Sequence, residues 1–85
     1  MHVDHAAGTT LRRIMTAGFE AMYNLKFNMN TITSSGYLSW LSAARAVANG
    51  ASINEAYSAY CGYTAKANKN FIASYNAMKA ASEKC

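Results

Sequence analysis

"SINEAYSAYCGYTAKANKNFIASY", residues 52–75, carries the strongest local signals in the chain. Its opening, Ser52-Ile53-Asn54-Glu55, fits a capping box, in which the serine hydroxyl and the glutamate carboxylate each satisfy an amide that helix geometry leaves open. Ile53, Ala56, Tyr57 and Tyr60 follow as the inner face of a short third helix over 52–61, which Gly62 ends. Thr64 then serves as the cap of a fourth helix over 64–83, roughly 30 Å long at ~1.5 Å per residue, with Ala67, Phe71, Ile72, Tyr75 and Met78 turned inward. The stretch reads as two helices joined at a glycine. Whether their outer face meets only solvent or a partner is the functional question.

The same periodicity extends upstream. A first helix over about 10–29, capped by Thr9 or Thr10, places Leu11, Ile14, Met15, Gly18, Met22 and Leu25 on one stripe, with Phe19, Tyr23 and Phe27 widening it. Gly18 lets a neighbouring helix come close, at some cost in helix propensity. "NTITSSG" is a linker of small polar residues, and a second helix over about 35–48 follows it. Tyr37, Leu38, Leu41, Ala44, Val47 and Ala48 form its apolar side, Trp40 lies beside that side, and the Asn49-Gly50 pair closes it. Residues 1–8 are expected to be a loose arm. The prediction is an all-α single domain over 1–85, a bundle of about four helices joined by short loops.

Composition agrees. At 85 residues the chain is long enough for one core and too short for a second. Ala is abundant, Pro is absent, and β-branched residues are sparse, so nothing interrupts helices and little favours strands. Cys61 and Cys85 are the only cysteines, too few for a disulfide-stapled scaffold. "MHVDHAAGTT" has no basic segment followed by an apolar run, and the longest uncharged stretch, 27–44, is too rich in Asn, Thr and Ser to span a membrane. The expectation is a cytoplasmic protein with reduced thiols.

Enzymatic chemistry finds no foothold in these residues. His2, Asp4 and His5 crowd the chain's start, while Glu20, Glu55 and Glu83 are scattered without a pair at site spacing. Zinc is not expected either: of His2, His5, Cys61 and Cys85 only the histidines are close in sequence, whereas zinc sites are usually built from two close pairs. We therefore expect no cofactor, no metal and no catalytic residue.

Within 52–75, the pattern of Ala56, Tyr57 and Cys61 before Gly62, then Tyr63, Thr64 and Phe71 after it, resembles a helix-turn-helix. "GYTAKANKNFIAS" is also similar to the N-terminal helix-turn-helix of phage terminase small subunits, where a glycine-tyrosine-serine turn precedes a basic helix; that pattern has a buried aliphatic residue where this chain has Asn68. The resemblance covers about twenty residues and implies DNA binding by the fourth helix.

Charge points the same way. Eight Lys and Arg against four acidic residues give a formal net charge of +4, which favours approach to an acidic partner. Lys66 and Lys69 fall in the opening turns of the expected fourth helix, where its dipole disfavours them, and a phosphate would supply a reason for their presence. Asn68 and Asn70 are then placed to reach base edges, with Arg45 and Lys79 assisting. The leading expectation is a non-enzymatic module that binds nucleic acid or a nucleoprotein complex, of a kind suited to a phage or mobile element. The alternative is an inhibitor or adaptor that docks on a host protein through Tyr37, Trp40, Tyr57, Tyr60 and Tyr63, for example a phage-encoded anti-CRISPR, since interfaces favour Tyr, Trp and Met. The scattered lysines and many Asn argue against a membrane-active peptide.

Overall fold

A computed structural model describes residues 3–28, 30 and 32–84, with side chains described from Thr10 onward apart from Met29, Thr31 and Cys85. Four helices form: α1 (Val3–Tyr23), α2 (Ser34–Ala48), α3 (Ile53–Cys61) and α4 (Lys69–Glu83). The fold is an all-α bundle, as the periodicity predicts. The radius of gyration, 11.7 Å, matches the ~12 Å expected of a single compact chain of this length, so the helices close on one core. No helix of the described residues is long and apolar enough to cross a membrane. His2 and Cys85 lie outside the described residues, as do the side chains of Asp4 and His5.

Three of the local signals fold as the residues dictate. Ser52 and Glu55 exchange both capping-box hydrogen bonds, Ser52 N–H to Glu55 Oε1 at 2.8 Å and Glu55 N–H to Ser52 Oγ at 3.2 Å. Gly62 closes α3 with φ +77°, a conformation costly to any residue with a Cβ. After α2, Gly50 N–H donates to Val47 O and Ala51 N–H to Ala46 O, the paired bonds of a Schellman motif, with Gly50 at φ +87°. Thr33 caps α2 by accepting from Gly36 N–H at 3.0 Å.

The boundaries of α1 and α4 differ from the prediction. Helix α1 begins at Val3, so Thr9 and Thr10 are interior rather than capping, and it ends at Tyr23 rather than near residue 29. There Asn24 turns to φ +55°, and Leu25, predicted on the core stripe, is 64 % exposed because the chain has left the helix. Helix α4 begins at Lys69, not Thr64. Asn68 is its cap, accepting from Phe71 N–H at 2.9 Å, while Ala67 N–H donates to Asn54 Oδ1 on α3 at 3.2 Å. The link between α3 and α4 therefore occupies residues 62–68, against about three to four residues in a helix-turn-helix turn. Lys66 lies in that link rather than on a helix.

The core runs along α1, which packs most extensively on α4. Gly18 sits where the two cross: a Cβ there would come within 2.3 Å of Met78 Cγ and 3.0 Å of Ser74 Oγ. Ile14 and Met15 of α1, Phe71, Tyr75 and Met78 of α4, Trp40, Ala44 and Val47 of α2, and Ala56 of α3 complete the buried cluster. Trp40 is 1 % exposed and its indole Nε1–H donates to the Met15 carbonyl at 3.0 Å, tying α2 to α1. Tyr75 Oη–H reaches the Ala51 carbonyl at 2.7 Å, tying α4 to the link before α3. Besides Leu25, further residues predicted on apolar faces are displaced, among them Tyr23 and Ala48, both exposed at helix ends. Leu38 is exposed because Trp40, Ala43, Ala44 and Val47 set the inward side of α2, and Ile72 is exposed because α4 turns Phe71, Ser74, Tyr75 and Met78 toward the core.

Two stability outcomes follow from the α1–α4 crossing. Gly18→Ala should cost ~1–3 kcal/mol by chemical denaturation, because the added methyl meets Met78. Combining it with Met78→Ala should cost less than the two single losses together, the sign of a shared space. Ser74 Oγ is buried without a hydrogen-bond partner among the described residues, so Ser74→Ala should raise stability, by about 1 kcal/mol in the same measurement.

Candidate functional site

The end of α4 that follows the link is the most exposed polar corner among the predicted site residues. Lys66, Asn68, Lys69 and Asn70 are all exposed, and neither lysine has an ion-pair partner among the described residues. Two cavities open beside them. The larger, about 680 Å³, lies between α3 and the link and is lined by Asn54, Glu55, Ser58, Thr64, Ala65 and Lys66. The smaller, about 220 Å³, lies where α1 ends, bounded by Met22 and Tyr23 on one side and by Tyr57, Tyr60 and Phe71 on the other. Asn68 and Asn70 form its rim, with Lys69 between them in sequence.

The 62–68 link is what positions this corner. Asn54 holds Ala67 N–H from α3, and Ala67 itself is only 8 % exposed, so the link is pinned just before Asn68. Asn68 then occupies the helix end: its Oδ1 accepts from Phe71 N–H and its carbonyl from Ile72 N–H. The expected two-point contact of Asn68 with adenine needs Oδ1 and Nδ2 together, and Oδ1 is already engaged. Asn70, exposed and one position inside the helix start, has both groups open.

Glu55 lines the larger cavity with Lys66, and its bonding lies elsewhere. The backbone amide of Ser52 and then the Ser52 hydroxyl hold its carboxyl below the ordinary value of 4.5. It is ionised at neutral pH but directed into the capping box, not onto Lys66. Two of the phenols lining the smaller cavity, Tyr57 and Tyr60, are held neutral. Burial, and then the 2.7 Å hydrogen bond with Tyr23, holds the Tyr60 hydroxyl well above its usual range. Tyr57 is raised as well, by the Cys61 thiol and then the Tyr63 phenol beside it. Neither ring becomes an anion near neutral pH, so the cavity does not repel a phosphate.

The other predicted residues are dispersed. Lys79 is exposed nearly three turns further along α4, about 15 Å from Lys69 along the axis, and Arg45 is exposed in the last turn of α2. Neither lines either cavity. Of the aromatic set, Trp40 is in the core and is no surface group, Tyr37, Tyr57 and Tyr60 are half-buried against it, and Tyr63 is 57 % exposed. Met22 and Tyr23 are site residues that sequence reasoning placed on the core stripe. Only the position of the α1 end, at Tyr23, turns the latter ring outward to 42 % exposure.

The Glu55 carboxylate makes the α3 cap pH-dependent. Its folded pKa is lowered, so its contribution is fully present above the ordinary value and is lost as pH falls through the lower, folded value. Thermal melts from pH 6 to pH 3 should show an acid loss of stability that is smaller in Glu55→Gln, which keeps the acceptor and loses the titration. No family model, no curated protein and no solved structure matches the chain.

Proposed function

We propose that this chain is a small non-enzymatic helical module that binds nucleic acid, or a nucleoprotein complex, through the corner where the link enters α4. The observation that carries this is the state of Lys66 and Lys69: both are exposed, both lack a carboxylate partner among the described residues, and they flank Asn68 at a helix start with no acidic residue in its first turn. The helix dipole disfavours Lys69 there by ~0.3–1 kcal/mol, whereas an anion at the same place would be favoured. The net charge of +4 brings an acidic partner toward the molecule as a whole. Lys79, further along the outer side of α4, and Arg45 on α2 then act as peripheral phosphate contacts rather than as part of the corner. The similarity of "GYTAKANKNFIAS" to the phage terminase small subunits supports the same class of partner, although the longer 62–68 link sets the helix start later than that likeness implies.

Docking on a host protein, as an inhibitor or adaptor, is the weaker reading. It needs an exposed aromatic face, and Trp40, the residue best suited to anchor one, is committed to the core at 1 % exposure.

The test is a salt titration. Binding of mixed-sequence oligonucleotides, followed by fluorescence anisotropy, should weaken linearly in log K against log salt, with a slope of about −1.4 on single strands or about −1.8 on duplexes if both lysines meet phosphates. The double variant Lys66→Glu, Lys69→Glu should bind no oligonucleotide at 50 mM salt, while Lys79→Glu should weaken binding only in part. Unaltered affinity of the double variant would remove this function.

A further inference from the structure

We infer that the tyrosine-lined cavity beside Lys69 receives a single unstacked nucleobase, which makes the substrate class single-stranded rather than duplex nucleic acid. This inference rests on the nucleic-acid reading above and specifies what that corner holds.

Four features lead to it. The cavity, about 220 Å³, is lined by the fully buried Phe71 and is too small for a helix or a peptide segment but large enough for one planar ring system. Its rings are fixed before any ligand arrives. Tyr60 stacks on Phe71 at 6.0 Å and 18°, and Tyr57 meets Phe71 edge-on at 4.9 Å and 69°. Tyr23, 42 % exposed, lines the cavity, packs on Phe19 at 4.6 Å and has its hydroxyl joined to that of Tyr60 at 2.7 Å, so its ring is held in place rather than free to rotate.

The rim supplies what a base and its backbone require. Asn70 is exposed, and Lys69 beside it in sequence is an exposed cation with no ion-pair partner among the described residues, available to the adjoining phosphate. Aromatic faces beside a cationic track are the general means of holding single strands, because every base has a π-face to stack. A duplex conceals those faces between its own pairs. Its base edges would have to be read by residues projecting from the start of α4, and there Asn68 Oδ1 is already bonded to Phe71 N–H. Lys69, exposed and between the two rim asparagines in sequence, places a cation next to the cavity, which favours nucleic acid over an apolar partner.

The deciding comparison uses oligothymidylate, an abasic deoxyribose-phosphate oligomer of the same length, and a duplex of the same number of phosphates, at one low salt concentration. The wild type should bind oligothymidylate ~5- to 150-fold more tightly than the abasic oligomer, the range set by base–aromatic stacking, and more tightly than the duplex. Tyr23→Leu should remove most of that preference, with its fold checked by far-UV circular dichroism. Tyr23→Phe, which keeps the ring but loses the hydroxyl bond to Tyr60, should retain more of it than Tyr23→Leu, and Asn70→Ala, an exposed change, should reduce it in part. Equal binding of the thymidylate and abasic oligomers, or a duplex bound more tightly than either, would overturn base capture while leaving nucleic-acid binding in place. If no oligomer binds, both readings fall together.

Discussion

Gly18 has no side chain, and the space this leaves at the crossing of α1 and α4 is where Met78 and Ser74 sit. Everything downstream of that contact depends on it. With α4 pressed onto α1 at its middle, Phe71 is carried into the core one helical stretch earlier, Tyr75 reaches the Ala51 carbonyl, and the beginning of α4 arrives beside the end of α1. The cavity rimmed by Asn68 and Asn70 exists because those two helix ends meet. A larger residue at position 18 would push α4 outward and part Asn70 and Phe71 from Tyr23 across the cavity.

The two helices of the 52–75 stretch are held by different means. Helix α3 is short and only Ala56 among its residues is fully buried, so little of its stability comes from packing; its ends are correspondingly well made, with a reciprocal capping box at one and a left-handed glycine at the other. Helix α4 is the reverse case. It buries Phe71, Ser74, Tyr75 and Met78 along one stripe, and its charges oppose its dipole, with Lys69 at the start and Glu83 at the end. Tertiary contact outweighs these end effects, which are a fraction of a kilocalorie each when exposed, against the ~1.5–3 kcal/mol of burying one large apolar side chain.

Much of this was legible in the residues, and the misses share a cause. Helix number, the capping box at 52–55, the Asn49-Gly50 stop and the role of Gly18 follow from interactions within a few residues or from the absence of a side chain. What local pattern could not supply was any feature decided by a distant partner. Thr64 and Asn68 are both acceptable caps, and the choice falls to Asn68 because Asn54, thirteen residues upstream on α3, takes Ala67 N–H and keeps 63–67 out of helix. Leu38 and Trp40 both offer an apolar side for α2, and the Met15 carbonyl on α1 decides in favour of the indole. Ile72 is the more hydrophobic choice for the core, yet the narrow space against Gly18 admits the small Ser74 instead. The candidate site inherits this. Lys66, Lys69 and Asn70 were found from charge and position alone, whereas Tyr23 required knowing where α1 stops.

The reversed charges of α4 also link stability to occupancy. Lys69 stands at a helix start whose first turn contains no acidic residue, and Lys66 precedes it on the link, so two ammonium groups share the positive end of the dipole. Their repulsion is borne by the α1–α4 core and not relieved by Glu55, whose carboxylate is turned into the Ser52 amide and hydroxyl. A phosphate brought to this corner would therefore act on two things at once: it would neutralise the lysines, and it would stabilise the helix on which the core depends. By linkage, whatever free energy the anion contributes to α4 appears as part of its own affinity. The corner is the least favourable part of α4 when empty, and for that reason it is the part with the most to gain from an anionic partner.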